Sequence, residues 1–388
     1  MNWRLLVVLS IGCAGSPNGD IDDPIGGKGD DGTSNLVAGL EEGSPEALAV
    51  LAVANEADAM TLDDEVGLRS NAVDALIDAR PFESLAELLT VRNVGEGAIR
   101  QLFAYADLSG GLVYRAVPAE PARVVAIGDL HGDSMAASDV LQLAGIIDAD
   151  GAWAGEDTVV VQVGDILDRG DGEAEIVELV QRLEREAEAA GGAYLMLLGN
   201  HELMNADGDF RYVTEDGLST FGEAPAEGYD EYDASERARA AAFLPGGSVA
   251  RFLARHDVVT KVGDTLFAHA GVLPHHVEYG LQQINHDARA FLIFEGMDMP
   301  AILDADDGPV WYRGYGTDED TDCALVDETL AATGSERMVI GHTVQSDGIS
   351  WACDGRLYRV DVGLSEYYGG GVQALEIVDG ETYVLSYE

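Results

Sequence analysis

The sequence predicts an α/β fold, in which layered β-sheets are flanked by helices, behind a small all-α domain. From about residue 111 onward, short apolar strands alternate with amphipathic helices, which is the pattern of a layered α/β domain. Between residues 45 and 110 the apolar residues recur at helical spacing. A chain of 388 residues, 47% of them apolar, has room for one large domain and one smaller module.

The chain is strongly acidic, with 71 Asp and Glu residues against 22 Lys and Arg residues and a formal net charge of −49. A surface of this charge repels nucleic acid and anionic membranes, so we expect no nucleic-acid partner. It either keeps the protein soluble or attracts cations, including divalent metals.

The first 13 residues have the pattern of an export signal. Arg4 precedes an apolar run over residues 5–11, which is too short to span a hydrocarbon layer of about 30 Å. A small residue precedes Cys13, as in bacterial lipoprotein signals, although Ser10 stands where Leu is usual. We therefore predict export to the bacterial cell envelope, with membrane attachment only through a lipid on Cys13. Ordinary secretion and an uncleaved tail are the alternatives.

Lipidation of Cys13 would leave Cys323 and Cys353 as a pair. In an oxidising compartment, we expect these two residues to form a disulfide. They flank a GHT segment, so the bond would staple the loop that carries His342.

Residues 14–44 are rich in Gly, Asp, Pro and Ser and predict a flexible acidic tether. Ser44 and Pro45 then form a helix-start signal, and further helices are expected around residues 70–79, 84–91 and 96–106. The stretch from residue 71 to 106 resembles the helix-hairpin-helix modules of competence-type DNA-binding proteins, with VGEGA as the hairpin. A small helical bundle that acts as a spacer or docking module is the alternative, and the scarcity of Lys and Arg favours it.

Three predicted strands, at residues 123–127, 158–163 and 193–198, run directly into Gly-Asp, Gly-Asp and Gly-Asn. Helical patterns at residues 134–147 and 173–190 separate these strands. In a sheet of this kind, ligands bind at the carboxyl ends of the strands. The residues that follow the strands are therefore the first candidates for a functional site.

Polar side chains with metal-binding chemistry occupy these positions and two later ones. They lie in the segments GDLHGD, GDILDRG, GNHE, HAG and GHT, and their carboxylate, imidazole and amide groups suit first-row divalent metals. A single such segment is weak evidence, but five in this order, each after an apolar strand, are specific. The candidate ligands are Asp129, His131, Asp165, Asn200, His269 and His342.

Together the five segments resemble the phosphoprotein phosphatase family of calcineurin-like metallophosphoesterases. The sequences GNHELMNADGDFRYV, WYRGY and GHTVQSDGISWACDGRLYRVDVG are most similar to the bacterial branch called Shewanella-like protein phosphatases. The resemblance covers residues 123–388 and implies a sandwich of central mixed sheets flanked by helices. HAG stands where eukaryotic members carry HGG, which keeps the histidine.

The resemblance also implies a site for two divalent metals, of which Mn is expected first and Fe or Zn are alternatives. Asp129 and His131 would hold one metal, Asp165 would bridge both, and a hydroxide shared by the metals would attack phosphorus in line. The second metal would be held by Asn200, His269 and His342.

The remaining roles also follow from the resemblance. His201 would act as the general acid and Asp168 would orient it, while Arg169 and Arg313 would hold phosphate oxygens. For each arginine a structural salt bridge is the alternative. Asp361 is expected to support His342 without being a ligand. Four histidines match no ligand segment and are expected at the surface or in loops: His256, His275, His276 and His286.

The expected activity is hydrolysis of phosphomonoesters, with phosphoserine, phosphothreonine or phosphotyrosine in proteins as substrates. Hydrolysis of dinucleoside polyphosphates or another small phosphoester is the alternative within the same chemistry, because substrate choice depends on loops around the site. An exported binding or scaffold lipoprotein that works through its helical module is the alternative from another class.

Overall fold

The computed structural model describes residues 36–387, apart from residues 224 and 226. The predicted signal segment with Cys13, and the predicted tether up to residue 35, lie outside the described residues. The described residues belong to one compact unit. Within them, no helix has both the length and the apolar character needed to cross a membrane.

Regular secondary structure occurs before the predicted helical module. Leu36–Val37 (β1) and Leu40–Glu41 (β2) form a short antiparallel hairpin in the segment assigned to the tether. Leu40 is buried, and a Cβ at Gly39 would lie 3.0 Å from the ring of Phe294. The hairpin is therefore ordered by apolar contacts with a distant part of the chain, which local composition does not reveal.

The helical module follows, with the helices that the sequence predicts. Ser44 caps the first helix, since its Oγ accepts a hydrogen bond from the backbone N–H of Ala47 at 3.2 Å, and Pro45 occupies the first turn. Residues 91–95 join the third and fourth helices. The elements are α1 (Pro45–Glu56), a π-helix (Thr61–Glu65), α2 (Ser70–Ala79), α3 (Leu85–Thr90) and α4 (Glu96–Leu108).

The large domain contains two mixed five-stranded sheets among the described residues. The first has the order β12-β11-β3-β4-β5. In it, β3, β4 and β5 are parallel to one another, and β11 pairs antiparallel with both β3 and β12. Its strands are β3 (Arg123–Ile127), β4 (Val159–Gln162), β5 (Ala193–Met196), β11 (Gln373–Val378) and β12 (Glu381–Ser386).

The second sheet has the order β6-β7-β8-β10-β9, with β7, β8 and β10 parallel and an antiparallel strand at each edge. A bridge between Leu197 and Asp257 links the chain after β5 to the chain before β6. The strands are β6 (Val259–Val262), β7 (Thr265–Ala268), β8 (Arg337–Ile340), β9 (Ser350–Ala352) and β10 (Leu357–Arg359).

Helices flank both sheets, which confirms the predicted fold class. The amphipathic helix α6 buries Ile176, Val177 and Val180 and packs against β5. The helices of this domain are α5 (Ser134–Leu143), α6 (Glu173–Ala190), α7 (Asn200–Ala206), α8 (Arg237–Phe243), α9 (Ser248–Leu253), α10 (Pro274–Tyr279), α11 (Leu281–Ile293), α12 (Ala301–Asp304) and α13 (Cys323–Thr333). Short 3₁₀ turns lie at Gly217–Ser219 and Cys353–Gly355.

The helical module packs directly on the large domain through α4 and α11. The ring of Phe103 meets that of Phe294 edge to face, with centroids 5.4 Å apart. Asp107 receives hydrogen bonds from Arg289 Nη1 at 2.8 Å to both of its oxygens, and His286 Nδ1 lies 2.8 Å from its Oδ2. The module is thus a docked part of the same compact unit.

Cys323 and Cys353 form a disulfide with Cα atoms 5.4 Å apart. It joins the first residue of α13 to the turn between β9 and β10. Arg359 of β10 holds the chain before α13, because its Nε donates to the Tyr315 carbonyl at 2.5 Å and its Nη2 to Thr321 Oγ1 at 2.8 Å. These links fix the loop that carries Arg313 as well as the hairpin that follows the GHT segment.

Candidate active site

The site lies where the ends of β3, β4, β5, β7 and β8 meet. Gly341 allows the close approach, since a Cβ there would overlap Asp129 Oδ1 and lie 2.8 Å from Val163. The structure brings together all six predicted ligands, and each is at most 7% exposed. They are Asp129 and His131 after β3, Asp165 after β4, Asn200 after β5, His269 after β7 and His342 after β8.

Several site residues have left-handed backbone conformations, which is costly for residues other than glycine. His131, Asp165 and His342 have φ angles of 45°, 54° and 66°. Each such residue costs roughly 1–2 kcal/mol, so the surrounding structure must impose the geometry. Glu202 does so in part, since its carboxylate accepts hydrogen bonds from the N–H groups of Asp165 (2.8 Å), Ile166 (2.9 Å) and Gly199 (2.7 Å).

The carboxylate of Asp165 lies between two groups of ligand atoms. On one side, His131 Nε2 is 3.9 Å and His201 Nε2 is 3.8 Å from Asp165 Oδ2. On the other side, His269 Nε2 is 3.2 Å from the same oxygen, and His342 completes the group. Each group has the spacing of a metal site, and the Asp165 carboxylate is common to both. The first group contains His201, which the sequence assigns to proton donation, whereas the predicted ligand Asp129 lies outside it, with its Oδ2 4.0 Å from His131 Nε2.

Hydrogen bonds leave the inward nitrogens of two histidines free to bind a metal. His269 Nδ1 lies 2.9 Å from the Val163 carbonyl, so in the neutral ring Nε2 carries the lone pair. That Nε2 faces Asn200 Oδ1 at 3.0 Å and His342 Nδ1 at 3.1 Å, two further acceptors. His131 is oriented in the same way by the carbonyl of Leu167, 3.1 Å from its Nδ1. A bound cation would satisfy these converging groups. Without one, burial lowers the pKa of His269 but the charge of Asp165 outweighs it, so the net shift is upward.

The charge of the buried carboxylates also favours a bound cation. Burial and the charges of Asp361 and Asp165 raise the pKa of Asp129 well above its ordinary value. Burial also acts on Asp165, but the charges of His269 and His201 outweigh it and hold its pKa well below the ordinary value. Among the described residues, the ion-pair partners of Asp129 and Asp165 are histidines. The residues present therefore fit divalent metals well.

Asp361 lies beside the ligands, and within the described residues only one of its two carboxylate oxygens has a hydrogen-bond partner. Its Oδ1 accepts a hydrogen bond from the Gly363 N–H at 2.9 Å, whereas its buried Oδ2 has no hydrogen-bond partner among the described residues. Burial raises its pKa to about 6. Besides burial, the charge of Asp361 helps to raise the pKa of Asp129.

His201 and Asp168 form a buried pair next to the ligands. His201 Nδ1 lies 2.5 Å from Asp168 Oδ2, and the His201 N–H donates to Asp165 Oδ1 at 2.9 Å. Burial lowers the pKa of His201, but the charge of Asp165 and the hydrogen bond with Asp168 outweigh it, so the net shift is upward. The pair has the arrangement that a proton donor needs.

Arg169 is surrounded by tyrosines at the mouth of the site. Its guanidinium carbon lies 4.5 Å from the ring centroid of Tyr212, 5.0 Å from that of Tyr367 and 5.5 Å from that of Tyr368. Its Nε is buried without a hydrogen-bond partner in the described part of the chain. Arg313 is exposed, and its charge contributes to the lowered pKa of His342 after burial and the charge of His269.

Some functional neighbours escape sequence reasoning. Glu202 belongs to the GNHE segment and could have been selected from it, but Arg239, which contacts Asp168, lies in no motif. The prediction that four further histidines lie at the surface or in loops is wrong for two of them, because His276 and His286 lie in helices and are at most 8% exposed. His256 lies in a loop, although it is buried, and the side chain of His275 is 45% exposed.

Residues 122–346, more than half of the chain, match the family of calcineurin-like phosphoesterases. The chain therefore belongs to this family, and it is a hydrolase. It is 39% identical over 295 residues to Shewanella-like protein phosphatase 2 of Arabidopsis thaliana, and the alignment covers 66% of this chain and 75% of the relative. It is 27% identical over 261 residues to Shewanella-like protein phosphatase 1 of Plasmodium berghei, which covers 64% of this chain and 69% of that protein.

A solved structure supports the same assignment. The crystal structure of a cold-active protein-tyrosine phosphatase from a psychrophilic Shewanella species superimposes with a TM-score of 0.58 and 26% sequence identity. The alignment covers 70% of this chain and 83% of that chain. The predicted class of metallophosphoesterase is therefore confirmed, together with the similarity to Shewanella-like protein phosphatases.

Proposed function

We propose that this protein is a two-metal phosphatase that hydrolyses phosphomonoesters on proteins. The observation that carries the proposal is the buried Asp165 carboxylate between two ligand groups, with the His201–Asp168 pair beside it. Mn is the metal we expect first, with Fe or Zn as alternatives. Bound metals would supply Lewis-acid stabilisation of the phosphate and activation of the attacking water. Asp129 and His131 would hold one metal, and Asp165 both. Asn200, His269 and His342 would complete the second site.

His201 holds a proton for the leaving oxygen. Because Asp168 occupies Nδ1, the ring presents Nε2 to the ligand cluster, 3.8 Å from Asp165 Oδ2. Arg169 and Arg313 provide positive charge at the mouth of the site, where they bind phosphate oxygens. Arg169 suits this role because the tyrosines fix its plane while its Nε lacks an acceptor among the described residues.

Tyrosines at the mouth of the site support aryl phosphates among the substrates. The ring of Tyr212 lies 5.3 Å from that of His201, and the ring of Tyr368 lies 5.3 Å from that of His131. An entering phosphotyrosine ring could stack on these faces, which phosphoserine and phosphothreonine cannot do. Phosphotyrosine therefore joins phosphoserine and phosphothreonine as a proposed substrate, in line with the similarity to a structure described as a protein-tyrosine phosphatase.

The proposed location is the bacterial cell envelope, with a lipid anchor on Cys13 or secretion. The disulfide between Cys323 and Cys353 supports an oxidising compartment. Mass spectrometry of protein from a bacterial membrane fraction tests the anchor: an N-terminal peptide that begins at a lipidated Cys13 is expected, and an intact Met1 peptide would contradict it.

The activity is tested with purified protein by elemental analysis and by assays on phosphopeptides and a dinucleoside polyphosphate. About two metal ions per chain are expected. Asp165→Asn and His201→Ala should each lower turnover of phosphopeptides by about 100-fold or more. His275→Ala is the matched control, since this histidine is half exposed and contacts Asp307 rather than the site. Full turnover by Asp165→Asn, or turnover of the dinucleotide alone, would overturn the proposal.

A further inference from the structure

A fully buried arginine lies behind the His201–Asp168 pair. Arg239, on α8, is 1% exposed, and its guanidinium carbon lies 4.4 Å from the ring centroid of Phe243. Burying a guanidinium is costly unless its N–H groups all find acceptors, and a buried ion pair is weak evidence for added stability. The position of Arg239 therefore calls for an explanation beyond packing.

All five N–H groups of Arg239 have an acceptor. Nε donates to Asn205 Oδ1 at 2.7 Å, and Nη1 donates to the Gly217 carbonyl at 3.0 Å and to Glu173 Oε2 at 2.6 Å. Nη2 donates to Glu173 Oε1 at 2.9 Å and to Asp168 Oδ1 at 3.5 Å. The guanidinium thus forms a fixed centre that links the carboxylates of Asp168 and Glu173 and the amide of Asn205.

The same partners also hold Asp168 from its other sides. Asp168 Oδ1 accepts a hydrogen bond from Asn205 Nδ2 at 3.0 Å, and the Asp168 N–H donates to Glu173 Oε1 at 2.6 Å. Asn205 Nδ2 also donates to the carbonyl of His201 at 2.8 Å. The remaining oxygen, Oδ2, is thereby aimed at His201 Nδ1. Asp168 has a φ of 67°, so this orientation is not one that the backbone adopts without support.

We propose that Arg239 is a positioning residue for the proton donor. It fixes Asp168 directly and through Asn205 and Glu173, and Asp168 in turn fixes the ring of His201. The inference rests on the proposed role of His201 as donor. Without the guanidinium, the buried carboxylates of Glu173 and Asp168 would lose their shared cation and repel each other, so Asp168 would turn away from His201.

The leaving group of the substrate distinguishes positioning from general damage to the fold. A proton donor matters most when the leaving oxygen is a poor leaving group and little when it leaves readily as an anion. We therefore compare kcat/KM for Arg239→Met on phenyl phosphate, whose phenol resembles tyrosine with a pKa of about 10, and on p-nitrophenyl phosphate. About a tenfold loss is expected with phenyl phosphate, and less than about a twofold loss with p-nitrophenyl phosphate.

Two further variants make this comparison decisive. Arg237→Met is the control on the same helix, because Arg237 pairs with the exposed Asp230, and we expect it to leave both substrates unaffected. Arg239→Lys keeps one cation and should restore part of the rate on phenyl phosphate alone. It also provides a folded variant if Arg239→Met does not fold. Equal losses on both substrates for Arg239→Met or Arg239→Lys would overturn the inference.

Combining the change with His201→Ala separates this inference from the proposed function. If Arg239 acts through His201, Arg239→Met should cause no further loss in the His201→Ala background. Additive losses would contradict the inference. If His201→Ala itself affects both substrates equally, the donor role proposed for His201 fails. If His201→Ala affects phenyl phosphate selectively but Arg239→Met does not, only the role of Arg239 fails.

Discussion

The contact between the helical module and the large domain makes a strong prediction about stability. Asp107 of α4 accepts hydrogen bonds from Arg289 Nη1 to both oxygens at 2.8 Å, and His286 Nδ1 lies 2.8 Å from Oδ2. The side chains of Asp107 and Arg289 are 8% and 6% exposed. We expect Asp107→Ala to destabilise the whole described unit, because it leaves a buried cation with fewer acceptors.

The size of the effect follows from what Arg289 retains. Breaking a buried ion pair costs about 3–5 kcal/mol when the remaining charge is left uncompensated. Here Arg289 keeps the carboxylate of Asp257 at 2.9 Å and the carbonyl of Ala254 at 2.9 Å. We therefore expect the lower end, a loss of about 3 kcal/mol in the free energy of unfolding.

The effect should also depend on pH. Burial raises the pKa of Asp107, but the hydrogen bond with His286 and the charge of Arg289 outweigh it, so the net pKa lies below the ordinary value. The ionised carboxylate thus contributes its stability above a pH of about 4, and this contribution is lost as the pH falls through the lowered pKa. The difference between wild type and Asp107→Ala should shrink in strong acid.

Urea unfolding at pH 7, followed by circular dichroism, measures the change. Asp74→Ala is the control, since Asp74 is an exposed acid on the neighbouring helix α2. A single transition is expected for the wild-type protein, because module and large domain form one unit. A loss for Asp107→Ala within about 0.5 kcal/mol of the control would refute the reasoning. A separate early transition of the module in the wild-type protein would also refute it.

Three further predictions concern other parts of the molecule. The Cys323–Cys353 disulfide closes a loop with a sequence separation of 30, so its reduction should lower the free energy of unfolding by about 3 kcal/mol. Urea titrations measure this loss, and a reductant should not affect the variant in which both cysteines are replaced by Ser. Glu202→Gln should weaken Mn binding about tenfold by calorimetry, since it disturbs the N–H groups that orient the ligands; unchanged affinity would contradict this. Tyr368→Ala should lower kcat/KM about fivefold for a phosphotyrosine peptide relative to a phosphoserine peptide, because it removes one of the proposed stacking faces. Tyr383→Ala on β12 should change neither rate, and an equal effect of Tyr368→Ala on both peptides would contradict the stacking.

The ligand cluster could be predicted from the sequence because each ligand follows a strand that local apolar pattern reveals. Asp129 and Asp165 stand two and three residues beyond β3 and β4, and the parallel pairing of those strands brings them to the same edge. His269 and His342 likewise follow apolar strands, β7 and β8 of the second sheet, and the resemblance to a known family then assigned both to the second metal. Here the sequence pattern and the three-dimensional site coincide.

The parts that could not be predicted depend on contacts between distant residues. Arg239 is 71 residues from Asp168 and 66 from Glu173, and its helix has no motif that marks it. His286 looked like a loop histidine, yet its partner Asp107 is 179 residues away in another module. A polar residue with no partner nearby in the sequence is predicted to be exposed, whereas the fold can bury it and bring a partner from a distant segment.

The two sets of buried carboxylates are neutralised in different ways, and this gives a last prediction. Asp168 and Glu173 have Arg239 as an internal cation, but Asp129 lies among acids and histidines. In protein stripped of metal, burial raises the pKa of Glu202 to about 7 and that of Asp361 to about 6. Raised carboxylate pKa values mean that the folded state binds more protons than the unfolded state between a pH of about 4 and 7.

The contribution of Glu202 and Asp361 to the free energy of unfolding of the metal-free protein should therefore fall as the pH rises from about 5 to 7. Buried His131 and His342, whose pKa values burial lowers, contribute the opposite trend. Saturating Mn should raise the free energy of unfolding increasingly as the pH rises, because metal binding requires deprotonated ligands and supplies the missing positive charge. Thermal unfolding of chelator-treated and Mn-loaded protein across this pH range measures both curves. Parallel curves would show that the site carries no uncompensated negative charge without metal, and the electrostatic case for a dinuclear centre around Asp165 would then be lost.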